Sequence, residues 1–293
     1  MSLDAISVVM PARNASLTIT DAIESILHQT YSNLELIVVD DNSEDNTFQI
    51  ASVFASDNEH VQVFEMPYDD PNRYNIDRLN VNAGWSARNF GMERSSGDWI
   101  TFQDADDASL LNRLDVQHDF ATRYKSSHVC IDWQKYVPEH LGKYLDVDAI
   151  LASCAEEHLV TNSVEILDLA RRCKGIIPSC LGWLHNRVSH NTRTYRVINR
   201  LFFGDISTPY PGAGNSTMIK AEIARKISFR PLTHRVWPSR RGRGADRDFN
   251  FNVAAIVGDS ISVSLPLYLW RHNGENQRSY LSPEYRPVEH KGA

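Results

Sequence analysis

The chain has 293 residues, with 30 Lys and Arg against 37 Asp and Glu, a formal net charge of −7. That length supports one large α/β domain or two small ones with an ample core, and the acidic balance lacks the basic footprint of a nucleic-acid binder. The longest apolar stretches, such as Val263 to Trp270, are too short to span a bilayer. The start, Met1-Ser2-Leu3-Asp4, has no basic-then-apolar leader pattern. Cys130, Cys154, Cys173 and Cys180 form no C-x-x-C pair, which argues against zinc. They are expected as reduced thiols of a cytoplasmic protein, which leaves room for peripheral contact with a membrane. Asn14-Ala15-Ser16 and Asn215-Ser216-Thr217 fit the glycosylation sequon, a match that matters only for a secreted chain.

Ala5 to Met10 reads as a buried strand stopped by Pro11, followed by a helix with Ile19, Ala22, Ile23, Ile26 and Leu27 on one face. Leu34 to Val39 is a second strand, Asn46 to Ala55 a helix, and Val61 to Phe64 a third strand. Ala83 to Arg94 is expected as a helix and Trp99 to Phe102 as a fourth strand. Ser109 is expected to cap a helix carrying Leu110, Leu114 and Phe120, and His128 to Trp133 is a fifth strand. Such alternation predicts an α/β fold with a doubly wound, mostly parallel sheet.

Residues 134–293 are less regular. Val164 to Cys173 and Asp246 to Val257 have helical spacing, Asn215 to Arg225 suggests a strand running into a helix, and Ile261 to Leu265 and Leu267 to Arg271 look like two strands. A basic, breaker-rich loop runs from Arg235 to Arg243. Residues 1–133 and 134–293 are expected as two halves of one continuous domain.

Ligands of doubly wound sheets bind beyond the carboxyl ends of the strands. Three such ends carry polar clusters: Pro11-Ala12-Arg13-Asn14, Asp40-Asp41-Asn42-Ser43 and Asp104-Ala105-Asp106-Asp107. Like charges about 5 Å apart repel by roughly 3 kcal/mol at an effective dielectric near 20. Three carboxylates at a strand end therefore call for a cation or a shared proton. Oxygen ligands suit Mg²⁺ or Mn²⁺ better than zinc.

Ser7 to Asn14, Leu36 to Ser43, Ala87-Arg88-Asn89-Phe90-Gly91 and Asp104-Ala105-Asp106-Asp107 together resemble, in order, the motifs of family 2 glycosyltransferases of the GT-A fold. The resemblance implies a metal-dependent, inverting, non-processive transfer from a nucleotide sugar, a UDP-sugar favoured, to a glycan or lipid-linked glycan. It places Pro11, Asp40, Asp41 and Arg88 around the nucleotide, with Asp40 or Asp41 reading the base. Asp104 and Asp106 would hold ribose and metal-bound diphosphate, with Asp107 close to the same Mn²⁺ or Mg²⁺.

Gly244-Ala245-Asp246-Arg247-Asp248 resembles the family's E-D-x-D/E motif with Ala245 in place of the glutamate, and the base falls on Asp246. Tyr268-Leu269-Trp270-Arg271-His272-Asn273 resembles the family's closing segment, which would bring Arg271 and His272 over the diphosphate. Processive synthases of the family carry a Q-x-x-R-W signature, which this chain lacks.

Each signal has a plainer reading. Asp40-Asp41-Asn42-Ser43 alone is a polar helix-capping turn, Asp246 and Asp248 alone favour a helix N-terminus, and Arg13 reads as a surface charge. The aromatics Trp183, Tyr195, Tyr210 and Trp237 have core packing as their default and sugar stacking as the alternative. Two other functions compete. One is a haloacid-dehalogenase-like Mg²⁺ phosphatase with Asp104 as nucleophile, and the other is a non-catalytic relic of the fold that binds nucleotide or carbohydrate.

Overall fold

The computed structural model describes residues 3–71, 73–74, 80–172, 209–231, 234–235 and 244–271. Its first part is a run of alternating elements. These are β1 (Ile6–Ala12), α1 (Ile19–Leu27), β2 (Leu34–Asp40), α2 (Thr47–Asp57), β3 (Val61–Glu65), α3 (Trp85–Arg94) and β4 (Trp99–Phe102). There follow β5 (Ala108–Ser109), α4 (Arg113–Arg123), β6 (His128–Lys135), α5 (Val147–Ser153), β7 (Val160–Thr161) and α6 (Ser163–Arg172). After the undescribed stretch come β8 (Met218–Lys220), α7 (Ala221–Ala224), α8 (Ala245–Val257) and β9 (Ile261–Trp270).

All the described strands belong to one sheet of nine, in the order β3-β2-β1-β4-β8-β6-β9-β5 with β7 on β9. β3, β2, β1 and β4 are mutually parallel. β8 runs antiparallel to both β4 and β6, and β9 is parallel to β6. Six of the nine strands therefore share one direction, and β4, β6 and β9 end on the same edge as β1 and β2. Strands from either side of residue 133 share this sheet.

The central strands are buried on both faces: Ile6, Val8, Met10, Leu36 and Val38 pack against α1, while Val9, Ile100 and Phe102 pack against Phe229 and Phe249. Continuous apolar runs are what a doubly covered parallel sheet needs. Gly91 lets α3 lie close on β1, because a Cβ there would stand 2.4 Å from Val9 Cγ1.

Three expectations are corrected. Ser109 caps no helix. Ala108 and Ser109 pair with Leu269 and Tyr268 of β9, and α4 begins after Asn112. β1 runs through Pro11 to Ala12, because Pro11 lies past Val9, the last residue paired with β4, so its missing N–H interrupts no ladder there. Residues 261–270 form one strand, Pro266 sitting where the register with β6 shifts at Asp132.

Candidate active site

The acid loop follows β4. Ligand oxygens of Asp104, Asp106 and Asp107 lie within 4.8 Å of one another. Burial, then the neighbouring Asp104 carboxylate, pushes the Asp106 carboxyl up to about 7. Burial with Asp106 and Asp104 lifts Asp107 well above the ordinary range. Three crowded carboxylates, with Asp106 and Asp107 raised, offer only oxygen ligands and fit a hard divalent cation.

The loop is held from several directions. Asp104 accepts from Arg88 Nη2 at 2.5 Å through Oδ1 and from Asn215 Nδ2 at 2.8 Å through Oδ2. The Tyr268 hydroxyl accepts from the Asp104 amide at 3.2 Å and donates to Asp107 Oδ2 at 3.0 Å. The Arg271 amide donates to Asp107 Oδ1 at 2.7 Å. Beneath the loop, the buried Arg113 donates to Gln103 Oε1 and Ser109 Oγ at 3.0 Å each and to Thr101 Oγ1 at 2.8 Å, pinning both ends. Asn215, Tyr268, Arg113 and Gln103 are missing from the sequence-derived site. Tyr268 lies in the closing segment singled out there, and Asn215 in a sequon read for another purpose.

Asp246 opens α8 opposite the acid loop. Its Oδ1 stands 3.8 Å from Arg88 Nη2, the nitrogen that holds Asp104, and has no hydrogen-bond partner. Burial raises its pKa, against the pull of Arg88 and with the push of Asp104. Arg88 itself is held above its ordinary value: burial opposes its charge, but Asp104 and Asp246 outweigh that cost. Gly214 permits this closeness, since a Cβ on it would stand 2.9 Å from Asp246 Cβ. Asp248 is occupied by Arg230, with two contacts of 2.7 Å. Ala245 is buried in the cluster with Phe229 and Phe249, so its side chain packs rather than facing a substrate.

On the β1–β2 side the two aspartates separate. Asp41 is clamped by the buried Arg73 through two contacts of 2.7 Å. Asp40 accepts from the Ser43 amide at 2.9 Å through Oδ2, while its buried Oδ1 has no partner. Burial raises the Asp40 pKa. Pro11 lies in the same cleft, and a Cβ on Gly84, which precedes α3, would stand 3.4 Å from its Cβ and 3.2 Å from Arg88 Nη1. Arg13 donates to the Asp41 and Asn42 carbonyls, tying the two strand ends rather than decorating the surface.

Arg271 reaches the acid loop through its backbone and through Nε on the Asp106 carbonyl at 3.0 Å. Its Nη2 binds Asp21 at 2.7 Å, and its guanidinium lies over Tyr136. Tyr210 is core, packed on Phe251 and His128. His272, Trp183, Tyr195, Trp237 and all of the basic loop except Arg235 lie outside the described residues. Ser216 and Thr217 are fully buried, which makes that sequon an unsuitable acceptor. Among the described residues, no helix is long and apolar enough to cross a membrane.

Residues 7–151 match the model of glycosyl transferase family 2. An uncharacterized glycosyltransferase of Haemophilus influenzae is 35% identical over 121 residues, covering 41% of this chain and 43% of the relative. Glycosyltransferase GlyG of Streptococcus pneumoniae is 25% identical over 201 residues, 69% of this chain and 58% of the relative. The UDP-Glc:alpha-D-GlcNAc-diphosphoundecaprenol beta-1,3-glucosyltransferase WfgD of Escherichia coli is 34% identical over 113 residues, 38% of this chain and 39% of the relative. The chain thus spans about two fifths to three fifths of these relatives' length.

Solved structures share the fold. TarS 1-349 of S. aureus in complex with UDP superposes with a TM-score of 0.55 at 15% identity, covering 93% of this chain and 62% of that one. Mannosyltransferase PcManGT of Pyrobaculum calidifontis, in complex with GDP-Man and Mn²⁺, gives 0.55 at 14% identity, covering 95% and 60%. The phosphatase alternative has no place in a chain whose acid loop follows a fourth strand and lies inside this match. With the GT-A fold and the four motifs of its first half in order, this chain belongs to glycosyl transferase family 2.

Proposed function

We propose that this chain transfers a sugar from a nucleotide-sugar donor, with UDP favoured, to a hydroxyl of a glycan or lipid-linked glycan, with inversion at the anomeric carbon. The observation that carries the reading is Arg88 joining two carboxylates of different duty: Asp104 at 2.5 Å in the acid loop and Asp246 at 3.8 Å at the start of α8.

Asp104, Asp106 and Asp107 would hold Mn²⁺ or Mg²⁺, which when bound supplies positive charge against the departing diphosphate. Asp40, with its unsatisfied Oδ1, would accept from the base, while Arg73 fixes Asp41 as a wall of that pocket. Asp246 would take the proton of the acceptor hydroxyl, and Arg88, 3.8 Å away, favours its charged form against burial. An inverting transfer needs this one base and no protein nucleophile. Relatives and neighbours whose names state UDP, a UDP-sugar or a lipid diphosphate substrate support a donor and acceptor of this class. The family match covers residues 7–151, and donor sugar and linkage fall to the second half.

Calorimetric titration of UDP, GDP, TDP and ADP, each with and without Mn²⁺, tests it. Micromolar binding of one nucleotide that disappears with chelator is expected. Absence of binding to all four would overturn the reading in favour of the relic.

A further inference from the structure

Asn250 lies one helical turn after Asp246 on α8, so both side chains leave the same face. Both meet the turn at residues 214–216: a Cβ on Gly214 would stand 2.9 Å from Asp246 Cβ and 3.5 Å from Asn250 Nδ2. Asn250 is fully buried, and its Nδ2 donates to the Gly214 carbonyl at 2.8 Å. That carbonyl belongs to the peptide group leading into Asn215. The carbonyl of Ser216, on the other side of Asn215, accepts from Gln117 Nε2 at 2.6 Å and from Arg113 Nη2 at 3.3 Å. The backbone of Asn215 is thus gripped before and after, from α8 on one side and from α4 on the other. Its side chain reaches Asp104 Oδ2 and the Tyr268 hydroxyl at 2.8 Å each.

The Asn250 amide has one workable orientation. Its Oδ1 accepts from the Thr217 hydroxyl and from His128 Nε2, the latter at 3.2 Å. His128 Nδ1 accepts in turn from Ser260 Oγ at 2.8 Å, and the Cys130 thiol donates to Thr217 Oγ1 at 3.0 Å. Burial holds the His128 pKa down at about 4, so the ring is neutral, with one donor and one acceptor. Turning the Asn250 amide over would set Oδ1 against the Gly214 carbonyl, two acceptors face to face. A buried network whose members are all satisfied fixes geometry as well as stability. This one ends on the peptide group before Asn215, where the Thr217 hydroxyl also stands 3.3 Å from the Gly214 carbonyl.

We propose that Asn250 is a positioning residue of the acid loop: it acts through the Gly214 carbonyl and Asn215 to hold Asp104, and so sets the cation's ligands against the helix that carries Asp246. The proposal rests on the glycosyltransferase reading for what the acid loop holds, and assigns the support on which the loop's geometry depends. A purely structural polar core is the competing account. Such a core would lower stability wherever the network is cut, whereas only cuts at the Gly214 end reach the metal ligands.

Two titrations of the full chain test it: Mn²⁺ alone, followed by the EPR signal of the free ion, and UDP with Mn²⁺, followed by calorimetry. Asn250→Ala should weaken both affinities about tenfold. In an Asn215→Ala background the same change should add less than about twofold, because the route from Asn250 to Asp104 is already cut. Ser260→Ala cuts the network at its far end and should lower the melting temperature while leaving both affinities at the wild-type value. Gly214→Ala pushes the turn off α8 without opening the buried network. It should weaken both affinities too, and it takes the place of Asn250→Ala if that variant does not fold. Unchanged affinities in Asn250→Ala or, where that variant is unfolded, in Gly214→Ala overturn the proposal. So does a further loss of about tenfold in the Asn215→Ala background, or a loss of affinity in Ser260→Ala that follows its melting temperature. Wild-type protein that binds Mn²⁺ but no UDP defeats the glycosyltransferase reading itself, while the Mn²⁺ titration still decides the role of Asn250.

Discussion

Asn215 fastens Asp104 across 111 residues of sequence, its Nδ2 lying 2.8 Å from Asp104 Oδ2 and 2.8 Å from the Tyr268 hydroxyl. The acid loop is therefore positioned by the second half of the chain as much as by β4. Asn215→Ala should weaken Mn²⁺-dependent UDP binding by about tenfold, the size of one or two lost charge-assisted hydrogen bonds. The melting temperature should move little, because Ser216 and Thr217 keep their own buried bonds. Unchanged calorimetric affinity would remove Asn215 from the site.

Asp246→Asn keeps the shape of the base and removes its ability to take a proton. Turnover should fall by about 100-fold or more, the usual contribution of general-base catalysis. Donor and metal binding should persist, since Arg88 still has Asp104. Near-normal turnover in a steady-state assay would move the base elsewhere.

What could be read from the residues follows from how local the cause is. β1, β2 and β4 are buried runs bounded by polar ends, so both the strands and the clusters they deliver are visible in the sequence. The failures are tertiary. Ser109 looks like a helix cap until β9 pairs with it, and Pro266 looks like a break until a register shift absorbs it. β8 between β4 and β6 is three residues long, and no periodicity marks its antiparallel course. Asn215 sits in an unremarkable sequon, and the division of labour between Asp40 and Asp41 depends on Arg73, thirty-two residues beyond Asp41.

That division can be separated by substitution. Asp41→Asn breaks a buried ion pair and, among the described residues, leaves Arg73 with Asp69 as its carboxylate partner, so it should destabilise by roughly 3 kcal/mol. Asp40→Asn removes a buried carboxylate whose Oδ1 has no partner and should leave the melting temperature equal or higher. Its UDP affinity should nonetheless fall. Thermal melts and UDP titrations of the two variants are expected to give opposite orderings. If both variants melt alike and bind alike, the assignment of Asp40 to the base fails.

His128 is buried between Ser260 Oγ at 2.8 Å and Asn250 Oδ1 at 3.2 Å. Burial lowers its pKa from 6.5 to about 4. Above pH 6.5 both states are neutral there and stability is unaffected. As pH falls from 6.5 towards 4 the unfolded chain gains a proton that the folded one refuses, so stability declines, by roughly 3 kcal/mol over the window. Denaturant melts at pH 7 and pH 4.5 should show a smaller loss in His128→Gln than in the wild type, although the variant starts lower. An equal loss would assign the acid sensitivity to other groups.

The acid loop titrates with the opposite sign. The Asp106 carboxyl is raised from 3.8 to about 7 by burial and by Asp104. Below pH 3.8 folded and unfolded chains both carry the proton. Between about 3.8 and 7 the unfolded chain releases it while the folded chain holds it, so the metal-free protein loses stability as pH rises through that window. A cation needs the carboxylate, so its binding should expel the proton, and Mn²⁺ affinity should climb with pH and level off above about 7. Asp106→Asn should abolish both the slope and most of the affinity. Calorimetry in two buffers of different ionisation enthalpy at pH 6.5 should register proton release on Mn²⁺ binding, aided by Asp107, which is also raised. Binding without proton release at that pH would mean the carboxylates are already ionised in the free protein, and Arg88 and Arg271 would then be stronger counter-charges than their geometry implies.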